Sequence, residues 1–314
     1  MNVELTKNNH MIWGYNQVPW SKRSNLYDKF FMTYGKIETP VIDFRHACIS
    51  TAKEIADRCI KLNKRPLIYY SGGIDSESII AAFLEAKVDF SVAHIKYTPG
   101  LNIHEYEYVE KFIKKFNLDY HEFQVDAENF LTSEHCFQLA VRDNARLIET
   151  HLLTSITDKI RDRYYPVLDH PGTMLFRKNV NLNGPGNWHW KDFEHIMFYY
   201  NYAWNESLDA CPSFYHWSPE IILAFLIDPL IVQLVNGTPF GKITNRTSTL
   251  KLYNNTFPEY EFSPRHKYGG FEFVSKEIIN SLNNKLNKHT LYDRHSGQEY
   301  SYQNLLEILG HYDN

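Results

Sequence analysis

The sequence is short of cysteine, of one-signed charge and of long apolar runs. Its four cysteines in 314 residues, Cys48, Cys59, Cys136 and Cys211, are widely spaced and include no C-x-x-C pair. That excludes the usual zinc ribbon and dithiol motifs and predicts reduced, buried thiols. The longest apolar stretch, residues 221–227, is far too short to span a bilayer, and the opening segment MNVELTKNNHMIWGYNQ has no apolar signal core. The expectation is a cytoplasmic protein with no membrane partner, in which the glycosylation-like triplets at Asn205 and Asn245 are chance matches. A formal net charge of −4 argues against nucleic acid held on a broad basic face, while leaving room for a local basic patch. There is no internal repeat and no low-complexity tract. Oligomeric state is left open.

What is present reads as a globular chain, with 43% hydrophobic and 22% charged residues. Residues 1–42 are polar and aromatic, with Gly14, Pro19, Gly35 and Pro40 interrupting any period, and are expected to form an irregular extension. From residue 43 onward, helical and strand patterns alternate: a helix over 43–62, a strand over 67–70, a helix containing Ile79, Ile80, Phe83 and Leu84, a strand over 90–97, a helix over 104–116 and a strand over 120–125. Phe137, Val141, Ala145, Ile148, Leu152, Ile156 and Ile160 then predict one long helix, followed by a strand over 164–168. Such alternation implies crossover connections and a parallel sheet. The fold class is α/β, a doubly wound parallel sheet over 43–180 followed by a mixed, largely helical region over 181–314. In that region Asn181 to Asn187 reads as a turn joining strands over 173–178 and 188–193. Ser218-Pro219-Glu220 opens an apolar helix running to about 235 that Asp228-Pro229 kinks or breaks.

The segment Ser71-Gly72-Gly73-Ile74-Asp75-Ser76 lies between a strand and a helix. Adjacent glycines there allow either a tight turn or a concave cradle of backbone N–H groups at a helix N-terminus, which binds anions. Two hydroxyls add donors, and Asp75 would repel bare phosphate but suits a phosphate carrying Mg²⁺. A plain turn needs none of these side chains. Two other glycine segments are decoys: 237–243 has the wrong spacing for a phosphate loop and ends in Ile243, and 184–186 lacks a third glycine.

The segment resembles the S-G-G-x-D-S loop of the N-type ATP pyrophosphatases, the superfamily of asparagine synthetase, NAD synthetase, GMP synthetase and tRNA-lysidine synthetase. The match to the loop is complete, and the βαβ pattern supports it over 67–168. The resemblance implies an adenine nucleotide alpha hydrolase-like fold and ATP with Mg²⁺ as cofactors. It also implies attack of a substrate oxygen on the α-phosphorus, release of pyrophosphate and displacement of AMP by a nucleophile. Carried over by position, Ser71, Gly72, Gly73, Ile74, Asp75 and Ser76 bind the cofactor, with Asp75 the metal ligand. Members often supply a later lysine toward the leaving pyrophosphate. Here the candidates are Lys267 first and Arg265 second, in Ser263-Pro264-Arg265-His266-Lys267-Tyr268-Gly269-Gly270, with a solvated basic loop as the plain alternative. Arg177 and Lys178 are weaker candidates.

Asp169, His170 and the Pro171-Gly172 turn follow the fourth strand and fall near the same edge. Trp188, His189, Trp190, Asp192, Glu194 and His195 have metal-ligand types but no standard spacing, and an alternating hairpin explains them more simply. Tyr215-His216-Trp217 reads as pocket lining or, more safely, aromatic core. The leading expectation is a carbon-nitrogen ligase of asparagine synthetase-like chemistry acting on a small molecule. With no cysteine at position 2, ammonia or an amine would come from a separate donor. The alternatives are a nucleobase or tRNA modification enzyme and a non-catalytic nucleotide-binding module. The first of these lacks a cysteine pair and a basic domain. The second leaves Asp75 and both serines unexplained.

Overall fold

The computed structural model describes residues 11–35, 37, 39–144, 148–169, 175–177, 188–191, 199, 202–203, 205–237, 246–265, 269–287, 289 and 298–311. The N-terminal segment expected to be irregular is instead a small antiparallel sheet. Its strands are β1 (Met11–Tyr15), β2 (Val18–Pro19) and β3 (Phe30–Tyr34), in the order β2-β1-β3. Gly14, read as a breaker, is what allows the hairpin, because a Cβ there would stand 2.1 Å from the Val18 carbonyl oxygen. The Pro19 ring sits at the edge, where no ladder N–H is lost.

Helix α1 (Phe44–Lys61) starts where Asp43 caps it, accepting the His46 N–H at 2.6 Å. It buries Phe44, Ala47, Cys48, Ala52, Ile55 and Cys59 on one face. Alternation then proceeds as the sequence predicts through β4 (Arg65–Tyr69), α2 (Ile74–Ala86), β5 (Ser91–Thr98), α3 (Ile103–Phe116) and β6 (Tyr120–Asp126). A short helix α4 (Ala127–Thr132) follows, and the long helix expected over 137–160 is broken into α5 (Glu134–Asp143) and α6 (Ile148–Ile160). Ser133 caps α5 through the Cys136 N–H, and Asn144 ends it in the left-handed conformation at φ 49°, so the apparent period spans two helices. Ala145, in the middle of that period, lies outside the described residues.

Strand β7 (Tyr164–Val167) completes a parallel sheet in the order β6-β5-β4-β7. Ile68, Tyr70 and Val92 face a core shared with α1, α2 and α3, while Leu67, Tyr69, Ala93 and Ile95 face a second core with α6. The sheet is therefore doubly wound. Strand order reverses between β4 and β7, and the crevice beyond their carboxyl ends is where open α/β sheets take ligands.

The C-terminal part is mixed. Strands β8 (Leu175–Arg177), β9 (Trp188–Lys191) and β10 (Glu299–Ser301) form an antiparallel sheet in which β8 and β9 pair as the hairpin reading required. Cys211 returns to the edge of β7, its N–H donating to the Pro166 carbonyl at 2.8 Å. Ser218 caps α7 (Pro219–Leu226), which bends by 54° into α8 (Pro229–Gly237) at the expected break. Among the described residues no single helix is long and apolar enough to cross a membrane, and α7 is buried along its length. Helices α9 (Arg246–Thr256), α10 (Lys276–Leu286) and α11 (Tyr302–Ile308) follow. All four cysteines are buried free thiols.

Candidate functional site

β4 delivers the chain to Tyr70, and the loop turns from there into the first turn of α2. Gly72 has φ +83°, a conformation that favours glycine, and a Cβ on it would lie 2.8 Å from the Glu105 carbonyl oxygen in the first turn of α3. This glycine is required by the backbone and by its neighbour. Gly73 is different. Its φ is an ordinary −80°, and a Cβ would meet chiefly Ser71 Oγ, at 3.1 Å. The second glycine keeps the outer side of the loop open.

Ser71 and Ser76 close the turn on itself. Their hydroxyls lie 3.3 Å apart, the Gly73 N–H donates to Ser71 Oγ at 3.3 Å, and Ser76 Oγ donates to the Gly73 carbonyl at 3.1 Å. The N–H groups of the first turn of α2 have no carbonyl partner within their own helix, and they carry its partial positive charge. The two hydroxyls and the helix N-terminus offer the kind of donors that bind an anion.

The inner side of the loop is held by residues from far along the chain. Arg265 donates from Nε to the Gly72 carbonyl at 3.0 Å and from Nη2 to Glu77 Oε1, while its guanidinium lies 4.2 Å from the Tyr108 ring centroid. Glu77 also accepts the Tyr70 hydroxyl. Burial pushes the Glu77 carboxyl above its ordinary range, and Arg265 and Tyr70 pull it back down. Asp75 Oδ1 accepts the Tyr253 hydroxyl at 2.6 Å, and the Asp75 carbonyl accepts Tyr215 at 3.0 Å and Ser78 at 2.9 Å.

Asp169 follows β7 at the carboxyl edge of the sheet. Burial raises it to about 6, and the hydrogen bonds it accepts pull it down. Asp75 and Asp169 thus follow β4 and β7, the two strands that define the switch point. Among the described residues no three His, Cys, Asp or Glu side chains gather at one point. A magnesium ion carried by nucleotide phosphates needs only one or two carboxylates.

The sequence candidates divide. Residues 71–76 form the loop as expected. Arg265 reaches it, with its guanidinium turned to Gly72 and Glu77. Lys267 and His266 lie outside the described residues, although the chain on either side is seated nearby. A Cβ on Gly270 would lie 3.0 Å from the Asn102 Cβ, and Phe271 packs 4.7 Å from Tyr97 at the end of β5. His170, Pro171, Gly172, Lys178, Asp192, Glu194 and His195 are also outside the described residues, as is the side chain of Arg177. Trp188 and Trp190 are buried core. Tyr215, His216 and Trp217 are buried too, and Tyr215 in addition touches the loop. Reading the sequence missed Tyr70, Glu77 and Tyr253. Glu77 adjoins the motif and was findable, whereas Tyr253 sits in a helix of weak apolar pattern and carries no local signal.

No protein-family model matches the chain, and no curated protein sequence does. Among solved structures it is similar to an NMN synthetase from Francisella tularensis, at a TM-score of 0.37 and 12% identity over 86% of this chain and 94% of that one. It is similar to an NH3-dependent NAD synthetase from Campylobacter jejuni, at 0.33 and 12% over 79% and 95%. A glutamine-dependent NAD+ synthetase from Acinetobacter baumannii gives 0.33 and 12% over 91% and 56%. Likeness at this level carries no argument about the reaction. The resemblance to the N-type ATP pyrophosphatases rests on the chain itself, a doubly wound parallel sheet with S-G-G-I-D-S at the carboxyl end of β4 beside its switch point.

Proposed function

We propose that the protein is an ATP pyrophosphatase of the ligase type, which adenylates a carboxylate, amide or carbonyl oxygen of a small substrate and passes the activated carbon to a nitrogen nucleophile. The observation that carries this reading is the Ser71–Ser76 segment at the carboxyl end of β4, beside the switch point of the parallel sheet, with Asp75 in the first turn of α2. Bound ATP with Mg²⁺ supplies an electrophilic α-phosphorus and a pyrophosphate leaving group. The first turn of α2 and the Ser71 and Ser76 hydroxyls hold the β- and γ-phosphates, with Gly73 leaving room for their approach. Asp75 and Asp169 would hold the metal. Lys267 neutralises charge growing on pyrophosphate, in keeping with described neighbours on both sides that sit at the loop and at the end of β5. Arg265 supports the loop through Gly72 and Glu77, a role different from direct contact with phosphate.

The balance of the reaction is simple. A substrate oxygen forms a bond to the α-phosphorus as the bond to pyrophosphate breaks, and a nitrogen nucleophile then bonds to carbon as AMP leaves and the nitrogen gives up a proton. The test incubates the protein with α-labelled ATP, Mg²⁺, ammonia and a pool of small carboxylic acids. AMP and pyrophosphate are expected in equal amounts. ADP and orthophosphate in their place would overturn the reading.

A further inference from the structure

The Asp75 carboxylate is held by a side chain outside its own helix. Tyr253, from α9, donates to Oδ1 at 2.6 Å and is fully buried. Its ring stacks on Tyr215 at 6.0 Å with 17° between planes, and Tyr215 fixes the backbone of the same residue through the Asp75 carbonyl. One stacked pair of tyrosines therefore holds one aspartate at two points, main chain and side chain. Burial drives both hydroxyls well above their ordinary pKa.

The geometry points to Tyr253 as a positioning residue that orients the Asp75 carboxylate toward the metal carried by ATP. An aspartate in the first turn of a helix has another choice, since its oxygens can bend back to the unsatisfied N–H groups of that turn. Such self-capping would draw the carboxylate away from the metal and occupy the donors meant for phosphate. The Tyr253 hydroxyl opposes it by holding one oxygen in place. Mg²⁺ tolerates little departure from octahedral geometry, so a wandering ligand weakens it disproportionately. A tyrosine that merely satisfied its own hydroxyl in the core would affect stability and leave metal dependence alone.

The inference rests on the pyrophosphatase reading, and the experiment separates the two. Binding of α,β-methylene-ATP to the full chain is measured by calorimetry over a range of Mg²⁺ concentrations. For Tyr253→Phe, which keeps the stacked ring, affinity without Mg²⁺ should stay within about twofold of wild type, and the Mg²⁺ needed for half-maximal enhancement should rise about three- to tenfold. Because Tyr253 acts through Asp75, adding Tyr253→Phe to Asp75→Asn should weaken binding no further, whereas independent effects would add. Replacing Tyr253 by p-aminophenylalanine, which keeps a ring and a donor, should retain the wild-type Mg²⁺ dependence. Unchanged Mg²⁺ dependence in Tyr253→Phe, equal weakening with and without Mg²⁺, additivity in the double variant, or loss in the p-amino variant would each overturn the positioning role. A wild-type protein that failed to bind the analogue with Mg²⁺ would overturn the pyrophosphatase reading as well.

Discussion

The two sides of the loop are built in different ways. The outer side is local: Ser71, Gly73 and Ser76 contact one another within five residues of sequence. The inner side is assembled from a distance, with Tyr215, Tyr253 and Arg265 reaching Asp75, Gly72 and Glu77 across separations of 140 to 193 residues. A short motif can supply a phosphate cradle, but its shape is guaranteed by a much later part of the chain. The C-terminal region therefore forms the floor of the loop.

The contrast can be broken most forcefully at Arg265. Arg265→Met would leave the Glu77 carboxyl buried with its cation gone, and a loss of about 3–5 kcal/mol is expected in urea unfolding at pH 7. Adding Glu77→Gln should recover part of it. An Arg265→Met protein as stable as its parent would show that the floor is not what holds the loop.

Acid offers a test that bypasses the loop. His151 in α6 is fully buried, its ring nitrogens have no hydrogen-bond partner among the described residues, and burial together with the charge of Arg142 lowers it to about 4. The folded state keeps it neutral while the unfolded chain takes up a proton near pH 6.5. Its contribution is thus full above pH 6.5 and is lost as pH falls toward 4, by about 3 kcal/mol in all. Urea midpoints measured from pH 7 to 4.5 should fall less steeply in His151→Gln. An identical slope would assign acid sensitivity elsewhere.

The two glycines give the finest comparison. Gly72→Ala forces a positive φ and a clash with Glu105, and about 2 kcal/mol of stability should be lost. Gly73→Ala should change stability by less than about 1 kcal/mol, because its φ suits alanine. It should instead weaken binding of α,β-methylene-ATP by narrowing the cradle. Equal behaviour of the two variants in melts and in binding would erase the distinction between a glycine kept for the fold and one kept for the ligand.

The parts legible in the sequence are those whose causes are near in sequence. Ala47, Cys48, Ile55 and Cys59 mark a helix because each turn repeats the same buried face, and residues 71–76 mark a loop because turn and cradle share six positions. Asp169 could be placed near the site because it follows a strand whose direction the crossovers fix. The N-terminal sheet was missed because Gly14 is a breaker by propensity and a requirement by contact with Val18. The helix over 137–160 was over-extended because two helices happened to continue one period across Asn144. Tyr253 was invisible for a stronger reason, since its partner lies 178 residues away and its own helix is mostly polar.

The contact of Gly72 with Glu105 and the ties from Tyr253 and Arg265 make the loop a poor candidate for transplantation. A chimera receiving residues 65–86 alone would inherit the letters of the motif without the three supports that shape it. Over generations the same ties should make positions 75 with 253, and 77 with 265, change together or not at all, so that the site is inherited as pairs rather than as a string.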